Sequence, residues 1–149
     1  MVQSVDYMTS IDLFNAFLHL PVHPDHRRFL RFHWRSSLYQ FKTTPFGLSI
    51  VSYWFTKINK PILQWTRKQD IRVSAYLDDW TVLSKTKSEA LKSIEMIIRC
   101  LTSLGWLINW KKSQTQSPQV LEHLSFELNT IQIIARFPGK KLRLLRKSI

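Results

Sequence analysis

Between Ile71 and Leu83 the chain alternates apolar and polar positions: Ile71, Val73, Ala75 and Leu77 against Arg72, Ser74 and Tyr76, then Trp80, Val82 and Leu83. A period of two predicts two strands, with Asp78 and Asp79 on the hairpin turn between them. Upstream, Tyr7 to Leu13 predicts a strand bearing Asp12 near its end, followed by a short helical turn around Asn15 to His19 that Pro21 breaks. Pro24-Asp25 marks a further turn. Phe29 to Trp34 and Leu38 to Lys42 predict a hairpin joined at Arg35 and Ser36 and stopped by Pro45-Phe46-Gly47. Val51, Trp54, Phe55, Ile58, Ile62 and Trp65 recur at helical spacing, predicting a helix from Leu48 to Arg67 that Pro61 should kink. Ser88 to Leu104 predicts a second helix with a stripe of Ala90, Leu91, Ile94, Ile97, Ile98 and Leu101, stopped by Gly105. Short strands are expected at Leu107 to Trp110, Val120 to Leu128 and Ile131 to Ala135.

This order predicts an α+β fold, an antiparallel sheet with helices on one face, of the ferredoxin-like split βαβ kind. Composition adds the scale and the partner. The 149 residues suit one domain; 44% are hydrophobic and 13% aromatic, a balance that builds a core. No repeat, low-complexity stretch or linker divides the chain. Lysine and arginine number 22 against 10 acidic residues, a formal charge of +12, and a surface that basic calls for a polyanion, nucleic acid first. Cys100 stands alone, which excludes an internal disulfide and a multi-cysteine metal site. With no signal-like segment and no apolar run of about 18 residues, an intracellular protein without a membrane span is expected, in cytoplasm or nucleus.

The adjacent carboxylates carry the chemistry. Asp-Asp lacks the glycine that a two-residue hairpin turn favours, and two neighbouring negative charges repel unless a cation relieves them. In a split βαβ sheet the first strand lies beside this hairpin, so Asp12 is expected next to Asp78. Three carboxylates at one sheet edge suit hard divalent cations, and two such ions can clamp an in-line phosphoryl transfer. A solvated turn is the alternative. Arg27, Arg28, Arg31 and Arg35, with His33 and Trp34, form a basic and aromatic segment able to follow a phosphate backbone and stack bases, or else a solvated strand face. His19, His23 and His26 are interrupted by proline, which disfavours a zinc site.

Ser10-Ile11-Asp12-Leu13-Phe14-Asn15-Ala16-Phe17, Pro24-Asp25-His26, Tyr39-Gln40-Phe41, Pro45-Phe46-Gly47-Leu48 and Tyr76-Leu77-Asp78-Asp79 occur in this order along the chain. Together they resemble the palm of retroelement reverse transcriptases. The run from Asp12 to His26 and the Tyr-Leu-Asp-Asp-Trp wording are similar to the tyrosine-recombinase retrotransposons of the DIRS type, with the Ty3 type second. The resemblance implies an RNA-directed DNA polymerase that adds deoxynucleotides to a primer on an RNA or DNA template, using two Mg2+ ions for which Mn2+ can substitute. By the same resemblance Asp12 and Asp78 bind the metals, with Asp79 as a supporting carboxylate. Phe17 matches the aromatic gate against a ribose 2′-hydroxyl, and Pro45, Phe46, Gly47 and Tyr76 match nucleotide-binding positions. Leu104-Gly105-Trp106, Asn109 and Lys111-Lys112 resemble the motif whose lysine protonates the leaving pyrophosphate; either Lys111 or Lys112 can match it.

Three departures accompany the resemblance. His123-Leu124-Ser125-Phe126 stands where the family's primer-grip hairpin reads aromatic-Leu-Gly. Ser49 to Phe55 is bulkier than the family's segment, which is expected to crowd the template path. Met1 lies eleven residues before Asp12, so fingers and thumb are expected to be largely missing from a palm spanning residues 1–149, with 136–149 the start of a thumb or connection. The basic residues Lys140, Lys141, Arg143, Arg146 and Lys147 are a candidate primer-template contact there. The chain is thus expected to be a polyprotein fragment, or a palm remnant that only binds nucleic acid.

Overall fold

The computed structural model describes residues 2–138. Strand β1 (Tyr7–Asp12) is followed by two 3-10 helices, Ala16–His19 and Pro24–Leu30, and a hairpin of β2 (Arg31–Trp34) and β3 (Ser37–Gln40). Helix α1 (Ser49–Lys68) leads to β4 (Arg72–Tyr76) and β5 (Asp79–Ser84), then α2 (Lys87–Ser103). Strands β6 (Val120–His123), β7 (Phe126–Asn129) and β8 (Ile134–Arg136) close the order.

The central sheet runs β1-β5-β4, antiparallel throughout. Because side chains alternate across a sheet, the register divides its residues between two environments. Ile11 opposite Trp80 and Val73 opposite Val82 face the helices, packing with Val51, Phe55 and Ile62 of α1 and Ile94, Ile97 and Leu101 of α2. Met8 opposite Leu83 turns to the other side and packs with Leu121 and partly buried Leu128 of the β6-β7 hairpin. Asp12 opposite Asp79 has the same parity, so both belong to the face without helices. The expected α+β architecture with helices on one face is therefore the observed one. A capping box on α2, Thr86 Oγ1 accepting from the Glu89 N–H and Glu89 accepting from the Thr86 N–H, sets where that helix starts.

Several boundaries differ from the periodic reading. The central residues of the carboxylate turn are Leu77 and Asp78, closed by Tyr76 opposite Asp79, so Asp79 is the first residue of β5. Leu77 takes φ 54°, a left-handed conformation costing about 1–2 kcal/mol in a non-glycine residue, while its side chain packs on the core. Residues 120–128 are two strands, with Leu124 at φ 48° and Ser125 at φ 72° between them. Two positive φ values in a two-residue loop match the twist of the flanking strands. Residues 107–110 form no strand; only Ile108 bridges to Leu13. The last strand begins at Ile134, because Asn129 Oδ1 accepts the N–H groups of Ile131 and Gln132 and turns the chain first. Phe29 and Leu30 end a 3-10 helix and do not open β2, and α1 runs through Pro61 as one helix.

Asp6, 1% exposed, is paired to Arg72 through Nη1 at 2.9 Å and Nη2 at 2.6 Å. Burial pushes its carboxyl upward, but hydrogen bonds from Arg72 and the Gln3 N–H together with the Arg72 charge outweigh this, and its pKa lies below the ordinary value. Cys100 is half-buried on α2, and burial raises its thiol pKa. Among the described residues no helix is long and apolar enough to cross a membrane. Arg136, where a thumb or connection was expected to begin, ends β8; the basic cluster from Lys140 to Lys147 lies outside the described residues.

Candidate active site

Asp12 ends β1, and Asp78 sits in the turn that abuts it: the Leu13 N–H donates to the Asp78 carbonyl at 3.0 Å. The two aspartates line one open cleft of about 480 Å³ together with Phe17, Phe46, Asn109 and Lys112. Pairing in the sheet places Asp79, not Asp78, directly opposite Asp12, and Asp79 is set back from the cleft, half-buried. Its carboxyl pKa is raised, first by burial and then by the charges of Asp12 and Asp78, against the opposing pull of His123 and Lys112.

Each Asp12 oxygen has a partner. Asn109 Nδ2 donates to Oδ1 at 2.7 Å, and Lys112 Nζ stands 3.7 Å from Oδ2. Both partners come from residues 107–114, which run along the free edge of β1. The Phe14 N–H donates to the Leu107 carbonyl at 2.8 Å, the Asn109 N–H to the Asp12 carbonyl at 2.8 Å, and Ser10 and Gln114 exchange bonds at 2.8 and 2.9 Å. A tight turn follows in which the Asn109 carbonyl accepts the N–H groups of Lys112 and Ser113 and the Ser113 hydroxyl. That turn returns Lys112 to the cleft, while Lys111 stays exposed outside it. Of the two sequence candidates, the geometry favours Lys112.

Phe17 is at once core and cleft wall: its ring meets Phe46 and Phe55 edge-on, both at 5.4 Å. Its carbonyl accepts the Thr44 hydroxyl, which ties the loop 43–47 to the floor of the cleft. Phe46 enters the cleft lining; Pro45, Gly47 and Tyr76 do not. Gly47 has φ 94° and open space around it, so backbone conformation and not crowding asks for glycine there.

The arginines are not gathered at this cleft. Arg27 Nε donates to the Val22 carbonyl at 3.0 Å, Arg28 lies 4.9 Å from the Phe29 ring, Arg31 Nε donates to Gln40 Oε1 at 3.4 Å, and Arg35 lies 5.8 Å from the Trp34 ring. Of the bulky residues expected to crowd a template, Phe55 is in the core. Ile50 and Trp54 line a separate apolar cavity of about 710 Å³ beside the second 3-10 helix. Among the described residues the histidines form no three-membered cluster: the His23 and His26 rings lie 5.6 Å apart, with His19 elsewhere. His19 stacks on Trp106 at 5.2 Å, and His23 lies 3.6 Å from Asp25.

Two neighbours of the carboxylates had no role legible in the linear pattern. Asn109 had a place in a motif but no role. His123, at the end of β6, is hydrogen-bonded through Nδ1 to Thr81 Oγ1 at 2.9 Å, fastening the β6-β7 hairpin to the strand that carries Asp79. Burial lowers its pKa, and the Asp79 charge opposes that shift.

As they stand, no group of three or more His, Cys, Asp or Glu side chains among the described residues is spaced to hold a metal ion. The donor chemistry nevertheless fits a divalent cation: hard carboxylate oxygens of Asp12 and Asp78 share one cleft, and mutual repulsion at Asp79 is what a cation would relieve.

Against protein-family models, residues 2–128 match the one described as reverse transcriptase (RNA-dependent DNA polymerase). The Pro-Pol polyprotein of Simian foamy virus type 1 is 29% identical over 122 residues, covering 82% of this chain and 10% of that protein. The Gag-Pol polyprotein of Walleye dermal sarcoma virus is 26% identical over 125 residues, covering 81% of this chain and 7% of that protein. Among solved structures, the foamy viral protease-reverse transcriptase in complex with dsDNA superposes with a TM-score of 0.84 at 23% identity over 98% of this chain and 29% of that one. The same enzyme in complex with an RNA/DNA hybrid gives 0.82, also at 23% identity, over 98% and 19%. The chain therefore spans a tenth or less of the curated relatives' length and under a third of either structure.

Proposed function

This chain belongs to the reverse transcriptase family, and from that premise we propose that it supplies the catalytic palm of an RNA-directed DNA polymerase within a polyprotein. One observation carries the reading: Asp12 at the end of β1 and Asp78 in the β4-β5 turn line a single cleft with Lys112. Asp12 and Asp78 would hold the divalent ions, with Asp79 as the supporting carboxylate behind them. Magnesium bound there would favour ionisation of a primer 3′-hydroxyl and neutralise charge on the transferred phosphoryl group. Lys112, at the cleft rim, delivers a proton to the leaving pyrophosphate. Phe17 and Phe46 form an apolar wall that excludes a ribose 2′-hydroxyl and selects deoxynucleoside triphosphates. Pro45, Gly47 and Tyr76 shape the approach to that wall.

The formal charge of +12 supports a primer-template partner, and Arg27, Arg28, Arg31 and Arg35 are proposed as its phosphate contacts. The palm extends over residues 1–149, with a thumb or connection beginning near 136, and acts inside the cell, in cytoplasm or nucleus. A finer lineage, the DIRS type ahead of the Ty3 type, rests on the wording around Asp12 and Tyr76 to Trp80; a recombinase gene adjoining the encoding DNA would support it.

Primer extension on an RNA template with Mg2+ or Mn2+, comparing the chain with Asp78→Asn, tests the catalytic reading. Extension is expected to fall at least about a hundredfold in the variant, since half of the proposed metal-binding pair is lost. Equal extension by both proteins refutes the assignment. Salt-sensitive nucleic-acid binding with no extension by either supports the alternative, a palm remnant that only binds.

A further inference from the structure

We propose that Asn109 is a positioning residue for the metal-binding carboxylate of Asp12, an inference that rests on the function proposed above. Four contacts close a ring between the end of β1 and the adjoining strap. The Asp12 N–H donates to Ser113 Oγ at 3.0 Å, and the Ser113 hydroxyl donates to the Asn109 carbonyl at 2.9 Å. The Asn109 N–H donates to the Asp12 carbonyl at 2.8 Å, and its side-chain Nδ2 donates to Asp12 Oδ1 at 2.7 Å. The first three use the Ser113 hydroxyl and the backbones of Asp12 and Asn109, and would persist with almost any residue at 109. Only the fourth touches the carboxylate.

The chemistry of that fourth contact is specific. A carboxylate on a single strand-end residue turns about its side-chain torsions, and a metal that must first arrest it binds more weakly. A lysine or arginine at 109 would fix Asp12 but also cancel its charge and compete with a divalent ion. A neutral amide fixes the plane of the group and leaves its charge intact. With Oδ1 taken by Asn109, Oδ2 is the oxygen beside Lys112, whose ammonium is largely exposed and 3.7 Å away. Asp12 is thereby presented with one oxygen tethered and one beside an exchangeable cation. Ligand-orienting partners of this kind are worth about ten- to a hundredfold in metal affinity.

The test uses the full 149-residue chain, 15N-labelled, titrated with Mg2+ and separately with Mn2+, whose paramagnetism broadens the NMR signals of residues around it. In the unsubstituted chain the Asn109 side-chain amide signals are expected to shift with the same midpoint as the backbone amides of Asp78 and Asp79. Asn109→Ala, and Asn109→Leu with similar volume but no donor, are expected to need about tenfold more Mn2+ for half-maximal broadening while melting within a few degrees of the parent. Less than a threefold change in a folded variant overturns the proposal. So does an Asn109 amide that ignores Mg2+ while the cleft amides respond, a reading on the parent chain that holds even if both variants fail to fold. Asp12→Asn separates the two levels. If it removes Mn2+ broadening and the Asn109 variants do not weaken it, the metal centre stands and the role of Asn109 falls. If Asp12→Asn broadens like the parent, the metal centre itself falls, and this inference with it.

Discussion

The β1-β5-β4 sheet and the β2-β3 hairpin use the same antiparallel pairing under opposite conditions. From Trp80 to Ser84 every residue of β5 is buried, covered by helices on one side and, at Leu83, by the β6-β7 hairpin on the other. All eight residues of β2 and β3 are exposed, and the hairpin relies on its own cross-strand rings, Phe32 with Tyr39 at 5.7 Å and Phe32 with Phe41 at 5.1 Å. An isolated two-stranded unit is marginal in water, whereas a sheet covered by packed layers is fixed in position. Both turns hold non-glycine residues at positive φ, Leu77 in one and Arg35 and Ser36 in the other, but only the covered sheet also carries a half-buried Asp79 beside neighbouring carboxylates. Packing on both sides holds those carboxylates in place against their tendency to move apart.

Substitutions can break that contrast or sharpen it. The largest effect is expected from Trp80→Ala, which empties a fully buried indole position in β5 and should lower unfolding free energy by about 3–5 kcal/mol in urea titration. A loss under about 1 kcal/mol would mean that the covered sheet is not the stabilising unit. Asp6→Asn comes next, at about 2 kcal/mol near neutral pH, because it removes the charged partner of Arg72 just before β1; the value is below that of a fully buried pair since Arg72 is partly exposed. The sign with pH follows from Asp6's depressed pKa. The carboxylate's contribution is fully present above its unfolded value of about 3.9 and is lost as pH falls through the lower folded value. The urea midpoints of parent and variant should therefore converge below about pH 4, and a gap that stays constant to pH 2 would refute the assignment. Phe32→Ala should be the smallest, about 0.5 kcal/mol, since its ring is already partly in water and only stacking is lost.

Much of the site was legible in the linear pattern because it depends on short-range rules. Period-two alternation located β4 and β5, and a helical stripe located both long helices. The resemblance built on Asp12, Phe17, the Pro45-Phe46-Gly47 loop and Asp78 agrees with the family that residues 2–128 match. What alternation could not set was register to a single residue. Leu77 is drawn to the core, so the turn forms one position earlier than the two aspartates suggest, and Asp79 opens a strand instead of sharing the loop.

The sequence by itself determined the elements, the basic surface and the carboxylates available for chemistry, since each follows from residue types a few positions apart. Only the tertiary structure decided which groups meet. It paired Asp12 with Asp79, brought Asn109 to Asp12 across 97 positions, chose Lys112 over its neighbour Lys111 and fastened His123 to Thr81. Those contacts arise where a strap finds the one free edge of β1 and a hairpin covers the polar face of the sheet. No local periodicity encodes such meetings, because the partners lie far apart along the chain and touch only when the shared core has closed.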